Sequence, residues 1–307
     1  MHLTGFADEA GAEPEAQIEA NRRLGWTCIE ARRMGSANIH DIGDAEFDRA
    51  AGLLADAGMR VDCFGSAIAN WGKQIDPPAD SSLAEARRAI PRMRRLGTRL
   101  IRIMSFAVRR DASGRALDDQ AEAERFRRLR ELTALFLDAG IQPVHENCMN
   151  WGGMGASFSL RLLDAVPGLK LVFDTGNPSA SDDHDVPARS DGTRPKQSSW
   201  DFYRRVRQHI VHVHIKDAVF DPVGGTHVHT WPGDGQGDVR AIVRDLLATG
   251  YDGAFSMEPH IAVIAHDPSV TAPAEARIQT YVTYGRRFER LLADCRQDLP
   301  QRAAAAG

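Results

Sequence analysis

Only four cysteines occur in the 307 residues, and no two of them form a CxxC pair. Cys28, Cys63, Cys148 and Cys295 are spaced for neither a zinc ribbon nor a disulfide framework. A reducing cytoplasm is therefore the expected compartment. No apolar run reaches the length of a membrane span. The first nine residues have neither the basic start nor the apolar stretch of a secretion signal. An excess of positive charge is missing too. The formal net charge is −4, which gives no overall basic field for nucleic acid. The first strand-to-helix turn, Gly5-Phe6-Ala7-Asp8-Glu9-Ala10-Gly11, lacks the dinucleotide-binding fingerprint. What remains, 43% apolar and 26% charged residues, is the composition of a soluble globular protein.

Short apolar runs alternate with longer segments of helical period. Strands are expected over 3–7, 27–31, 60–65, 99–105, 142–146, 170–174, 210–216 and 253–258. Helices are expected over 14–24, 44–57, 83–96, 119–139, 159–165, 199–208, 238–249 and 273–293. Gly25, Gly58, Gly97, Gly140 and Gly250 stand where helix C-terminal caps belong. Eight strands alternating with eight helices is the count of a single (β/α)8 TIM barrel, expected over 1–300 with a disordered Ala-rich tail at 301–307. Segments 106–118 and 179–198 break the rhythm after strand C-terminal ends, where barrel active-site loops lie, and are candidate lids or substrate loops.

Four strings at strand ends carry candidate chemistry: His145-Glu146-Asn147, Phe173-Asp174-Thr175-Gly176-Asn177, His212-Val213-His214-Ile215-Lys216-Asp217 and Ser256-Met257-Glu258-Pro259-His260. Each supplies one potential metal ligand: Glu146, Asp174, His214 and Glu258. Side chains alternate across a strand. Val213, Ile215, Phe173, Phe255, Met257, Ile101 and Ile103 then face the helices, and His212, His214, Lys216, Asp174, Ser256, Glu258, Arg102 and Met104 face the barrel axis. Three carboxylates converging on one mouth repel one another, and a divalent cation removes that conflict. Three oxygens and one imidazole suit Mn²⁺ first, then Mg²⁺, with Co²⁺ and Zn²⁺ as further alternatives.

Other residues have two readings each. His212 is a core histidine supporting His214 or a substrate contact. His145 contacts substrate, orients Glu146, or bonds solvent at the rim. Lys216 binds a substrate oxygen or neutralises Asp217. Arg102 binds substrate or pairs with a carboxylate, for which Glu30 is the candidate. Trp71 and Trp151 offer a wall to a sugar ring or pack within loops. The segment Trp231-Pro232-Gly233-Asp234-Gly235-Gln236-Gly237-Asp238 precedes a helix but lacks a Walker lysine, so a tight loop shaping the pocket wall is favoured over a phosphate loop.

Together with the opening Gly5-Phe6-Ala7-Asp8-Glu9 and the strings Gly97-Thr98-Arg99-Leu100-Ile101-Arg102-Ile103 and Gly233-Asp234-Gly235, these motifs resemble the sugar phosphate isomerase/epimerase family of xylose-isomerase-like TIM barrels. The resemblance covers nearly the whole chain. It implies a divalent metal, often Mn²⁺, on residues matching Glu146, Asp174, His214 and Glu258, with Glu146 and Glu258 also serving as the acid/base pair. It implies a small carbohydrate substrate, and dimers or tetramers are common in the family. The expected chemistry is proton abstraction beside a carbonyl through a metal-stabilised enediolate, giving an isomerase or epimerase of a keto-sugar or related polyol. The alternative is a dehydratase or lyase that continues to β-elimination on a keto-inositol or 3-keto-glycoside, with His145 as a candidate base or leaving-group acid. A barrel that only binds sugar would not need both glutamates, and endonuclease relatives use a larger cluster of zinc ligands.

Overall fold

The computed structural model describes residues 1–76, 81–264, 267 and 269–299. The tail at 301–307 lies outside the described residues. Eight parallel strands form one sheet: β1 (His2–Gly5), β2 (Cys28–Ala31), β3 (Arg60–Phe64), β4 (Leu100–Ile103), β5 (Gln142–Glu146), β6 (Lys170–Asp174), β7 (Ile210–Ile215) and β8 (Ala254–Met257). Neighbours pair in chain order from β2 to β8, and β8 pairs with β1 over four residues. The last seam, between β1 and β2, is closed by one parallel bridge, Phe6 to Glu30. The result is the expected (β/α)8 barrel.

Eight helices cover it: α1 (Pro14–Leu24), α2 (Asp44–Asp56), α3 (Ser82–Leu96), α4 (Glu122–Asp138), α5 (Ala156–Ala165), α6 (Ser199–Val206), α7 (Val239–Ala248) and α8 (Ala274–Gln297). Proline opens α1, where a missing N–H costs nothing. Gly25 and Gly97 end α1 and α3 in the left-handed conformation, which lacks a Cβ penalty only for glycine. Among the described residues no helix is long and apolar enough to cross a membrane.

The apolar core lies between strands and helices. Ile101, Ile103, Phe173, Val213, Ile215, Phe255 and Met257 all belong to it, as alternation requires. Inside the barrel the packing is polar instead, and this sets up the site. Two small ladders add to the mouth. Arg33–Met34 pairs with Ala37–Asn38 beyond β2, and Ala218–Asp221 pairs with Thr226–His229 beyond β7.

Candidate functional site

Glu146 ends β5, Asp174 ends β6, His214 lies next to last in β7, and Glu258 follows β8. Parallel register brings them level: Asp174 pairs with His214, and His214 pairs with Ser256, two residues short of Glu258. One donor atom from each of the four lies within 4.8 Å of the others, and all four side chains are buried.

Each donor is held by a different device. Asp174 Oδ1 accepts the backbone N–H of Gly176 at 2.8 Å and of Asn177 at 2.7 Å. Its Oδ2 faces the Lys216 ammonium. Burial pushes the Asp174 carboxyl up to about 6 against the pull of Lys216. Glu146 Oε2 accepts from Arg102 Nη1 at 2.9 Å, and its Oε1 lies 3.4 Å from His214 Nδ1. Burial opposes its ionisation, but Arg102 and His214 outweigh that and hold it down at about 2. Glu258 Oε1 accepts from Arg32 Nη1 at 2.6 Å, and its Oε2 accepts from Lys216 Nζ at 2.9 Å. These cations likewise overcome its burial and keep it well below the usual carboxylate range.

Lys216 is the informative neighbour. Its ammonium is 3.0 Å from Asp174 Oδ2 and 2.9 Å from Glu258 Oε2. A side-chain cation thus stands against two of the four donors. The donor set and this ammonium both fit a site that attracts positive charge. Three carboxylates and one imidazole are a suitable set for a hard divalent ion.

Beneath the cluster, Glu30 is fully buried. Its Oε2 is 2.7 Å from His212 Nε2, and its Oε1 is 3.2 Å from His214 Nε2. Burial disfavours the charge on Glu30, but the two imidazoles hold its carboxyl well below the usual range. Phe6 lies alongside, edge-on to His214 at 4.9 Å, with the Arg32 and Arg102 guanidinium carbons 4.3 and 5.1 Å from its ring centre. One aromatic ring therefore sets both arginines that grip the two glutamates.

The cluster floors a cavity of about 870 Å³ lined by Glu146, Glu258, Lys216 and Arg102. Its walls come mainly from the segments after β1, β2, β3 and β8, including Asp8, Glu9, Asn38, Asn70, Trp71, His260 and Thr271, with Met104, Cys148, Met149 and Asn177 from the segments after β4, β5 and β6. Segments 106–118 and 179–198 contribute no described lining residue. The first is tied down by fully buried Arg125 of α4, which donates to the carbonyls of Ser105, Ala107 and Gln120.

The other candidate residues fall in different places. His145 faces the helix side, with Nε2 3.0 Å from both Ser105 Oγ and Asn150 Oδ1, and it does not line the cavity. Trp151 is wholly buried, edge-on to Phe126 and Phe158 at 5.4 Å each, and Trp71 lines the cavity instead. His212 is engaged by Glu30 below the cavity. Arg102 pairs with Glu146 and leaves Glu30 to the histidines. Lys216 pairs with Asp174 and Glu258, and the Asp217 carboxylate is satisfied by backbone N–H groups of Ala218, Gly233, Gly235 and Gly237. The glycine loop after β7 is thus folded around an internal anion.

Sequence reading missed Arg32, Asp8, Glu9, Phe6 and His260. Arg32 also takes both Asp8 oxygens, at 2.9 and 3.1 Å. His260, at a left-handed φ of 53°, gives Nδ1 to Glu9 at 2.9 Å. Two further clusters of potential ligands accompany the main one: Glu9–Glu258–His260 and Glu30–Cys63–His212. Arg32 occupies the first, reaching Glu9 Oε1 at 3.4 Å as well as Glu258. The second lies under the His214 ring with its Glu30 oxygens already spent.

The model of the xylose isomerase-like TIM barrel family matches residues 18–280. The chain belongs to that family. Among solved structures, a xylose isomerase-like TIM barrel protein from Mycobacterium smegmatis in complex with magnesium superposes with a TM-score of 0.67 at 17% identity, covering 95% of this chain and 97% of that one. An L-ribulose 3-epimerase gives 0.68 at 16% identity, covering 99% and 98%. A probable 3-DHS dehydratase from Bacillus anthracis gives 0.63 at 16% identity, covering 94% and 99%. No curated protein matches the chain by sequence. At these identities the similar structures speak to the fold, which this xylose isomerase-like barrel shares with epimerases and a dehydratase alike.

Proposed function

We propose that this barrel is a divalent-metal-dependent isomerase or epimerase of a keto-sugar or related polyol. The observation that carries the reading is the matched pair Glu146 and Glu258. Each gives one carboxylate oxygen to an arginine and turns the other toward the shared donor cluster. Both line the same cavity.

Glu146, Asp174, His214 and Glu258 would hold the cation, with Mn²⁺ or Mg²⁺ suiting the donor set. Bound there, it supplies the positive charge that polarises a carbonyl and stabilises negative charge developing on oxygen. Arg102 and Arg32 keep the two glutamates ionised and oriented, so either is ready to take a proton. One glutamate oxygen accepts the proton α to the carbonyl. The C–H electron pair moves into an enediolate. The second glutamate, which must enter the step having taken a proton from solvent, returns it to the opposite face for epimerisation, or to the neighbouring carbon for isomerisation with the hydroxyl proton moving to the former carbonyl oxygen. The first glutamate is left protonated. Trp71 presents an apolar wall suited to a sugar face, and Asn38 and Asn70 offer hydrogen bonds to hydroxyls. All four cysteines are buried free thiols, consistent with action in a reducing cytoplasm.

A second reading, elimination by a dehydratase or lyase, shares the first step. The observation favouring it is His260, a cavity imidazole fixed by Glu9 and 3.7 Å from Glu258 Oε1. It provides a potential proton donor for a leaving group that epimerisation does not need.

Proton NMR in D₂O separates the two, using Mg²⁺-loaded and EDTA-stripped protein with free ketoses, keto-inositols and 3-keto-glycosides. Metal-dependent deuterium entry at carbon with a new isomer is expected. An enone or released aglycone would assign elimination instead. No metal-dependent change across the panel would count against both.

A further inference from the structure

Arg32, Arg102 and Lys216 line the cavity, and each gives its charge to a carboxylate. Arg33 and Arg277 line the same cavity but do not. Among the described residues, neither guanidinium lies within ion-pair distance of an acid. Arg277, in the first turn of α8 and half-buried, donates Nε to the Glu9 carbonyl at 3.1 Å and Nη2 to the Asp8 carbonyl at 2.7 Å. Arg33, just beyond β2 and exposed, donates Nε to the Gly35 carbonyl at 2.9 Å. Both are tied to one turn, because the Arg33 backbone N–H also meets Asp8 Oδ2 at 3.3 Å.

Asp8 cannot neutralise them, since both its oxygens accept from Arg32. Arg32 in turn reaches Glu258. Both residues therefore line the cavity beside the Asp8–Glu9 turn, neither in an ion pair with a described acid. Carbonyl contacts fix their direction without cancelling their charge. Arg277 Nη1 and both terminal nitrogens of Arg33 are left for a ligand. A guanidinium fork matches a carboxylate or phosphate, and one already anchored loses less freedom on binding. A neutral polyol would need no such charge.

We propose that the substrate carries an anionic group, a carboxylate or a phosphate, held by Arg33 and Arg277 away from the reacting carbonyl. The inference deepens the proposed reaction and rests on it only for which end of the substrate reacts. The anion site is read from the cavity wall.

Isothermal titration of the Mg²⁺-loaded protein with D-gluconate, D-glucitol 6-phosphate and neutral D-glucitol tests it. At low salt one anion should bind about tenfold or more tighter than glucitol. Which anion does so assigns carboxylate or phosphate. Arg33→Met and Arg277→Met should each reduce the preference to about threefold or less, and added salt should weaken it. Arg33→Met is the milder change, since that guanidinium holds only the Gly35 carbonyl. Equal binding of all three probes, no binding of either anion at millimolar concentration, or a preference that survives in both variants would overturn the inference. An anion preference with no metal-dependent deuterium exchange on any keto-substrate would instead sink the proposed reaction and leave the anion site standing.

Discussion

Replacing Glu30 by glutamine changes one atom at the floor of the barrel and should weaken cation binding above it. Glu30 receives Nε2 of His212 at 2.7 Å and Nε2 of His214 at 3.2 Å. For His214 Nδ1 to offer a lone pair beside Glu146, its proton must sit on Nε2, and the Glu30 oxygen fixes it there. A glutamine side chain has one acceptor oxygen for two ring nitrogens. If that oxygen keeps the shorter bond to His212, the amide NH₂ meets His214 Nε2 and drives its proton to Nδ1, blocking the donor atom. Loss of such a supporting carboxylate costs about 10- to 100-fold in metal affinity, or about 1.4–2.7 kcal/mol. Titration of EDTA-stripped protein with Mn²⁺ measures it, with the metal-free melting temperature followed in parallel to separate lost affinity from lost fold. His212→Asn leaves Glu30 Oε1 on His214 and should cost less affinity. An affinity for Glu30→Gln within about threefold of wild type would refute this reasoning.

Three further outcomes follow from the same contacts. Asp217→Asn leaves two of the four backbone N–H donors without an acceptor whichever way the amide turns, so urea unfolding should show a loss of about 3–5 kcal/mol; a loss below about 1 kcal/mol would show the loop does not depend on that anion. Gly152→Ala places a Cβ 2.4 Å from His145 Cε1 and 2.7 Å from Nε2, which should lower stability by about 1–3 kcal/mol while sparing turnover per folded molecule; turnover falling with His145 disturbed would return that residue to the reaction. Buried His40 is held down at about 4 by burial, against the pull of Asp41, whose Oδ2 lies 3.3 Å from its Nε2. Its folded pKa lies below the unfolded value of about 6.5, so its contribution is complete above that pH and about 3 kcal/mol is lost as pH falls toward 4. Urea midpoints for wild type and His40→Met across that window check it, and parallel curves would refute it.

Much of this was legible in the sequence. All eight strands lie where alternation and breakers put them, because apolar period and helix-end glycines are local signals. The faces of β4, β6, β7 and β8 follow from that period, and with them the convergence of Glu146, Asp174, His214 and Glu258. The same rule turns His145 outward once Glu146 points in, and turns Glu30 inward on β2. The Arg102–Glu146 pair was not legible: the sequence pointed to Glu30, and only the register of the sheet sets Arg102 beside Val144, two residues before Glu146 on the same face. Other features were not legible. Asp8, Arg32 and His260 lie past the last ladder partner of their strands, where no period is defined, and His260 has a left-handed backbone. Trp71 and Trp151 both follow strands. Which one meets the cavity depends on the loop around Trp151 packing against Phe126 of α4 and Phe158 of α5, a tertiary contact that no local period reports.

The most direct measurement is solvent deuterium exchange into a turned-over keto-sugar by wild type, Glu146→Gln and Glu258→Gln, each with its bound Mg²⁺ counted. Wild type should place deuterium at the inverted carbon only when loaded with metal. Each variant should fail to interconvert the epimers, and any variant that still binds metal should exchange the proton of one epimer alone. Interconversion at the wild-type rate by either metal-loaded variant would contradict the assignment of these two glutamates as the acid/base pair.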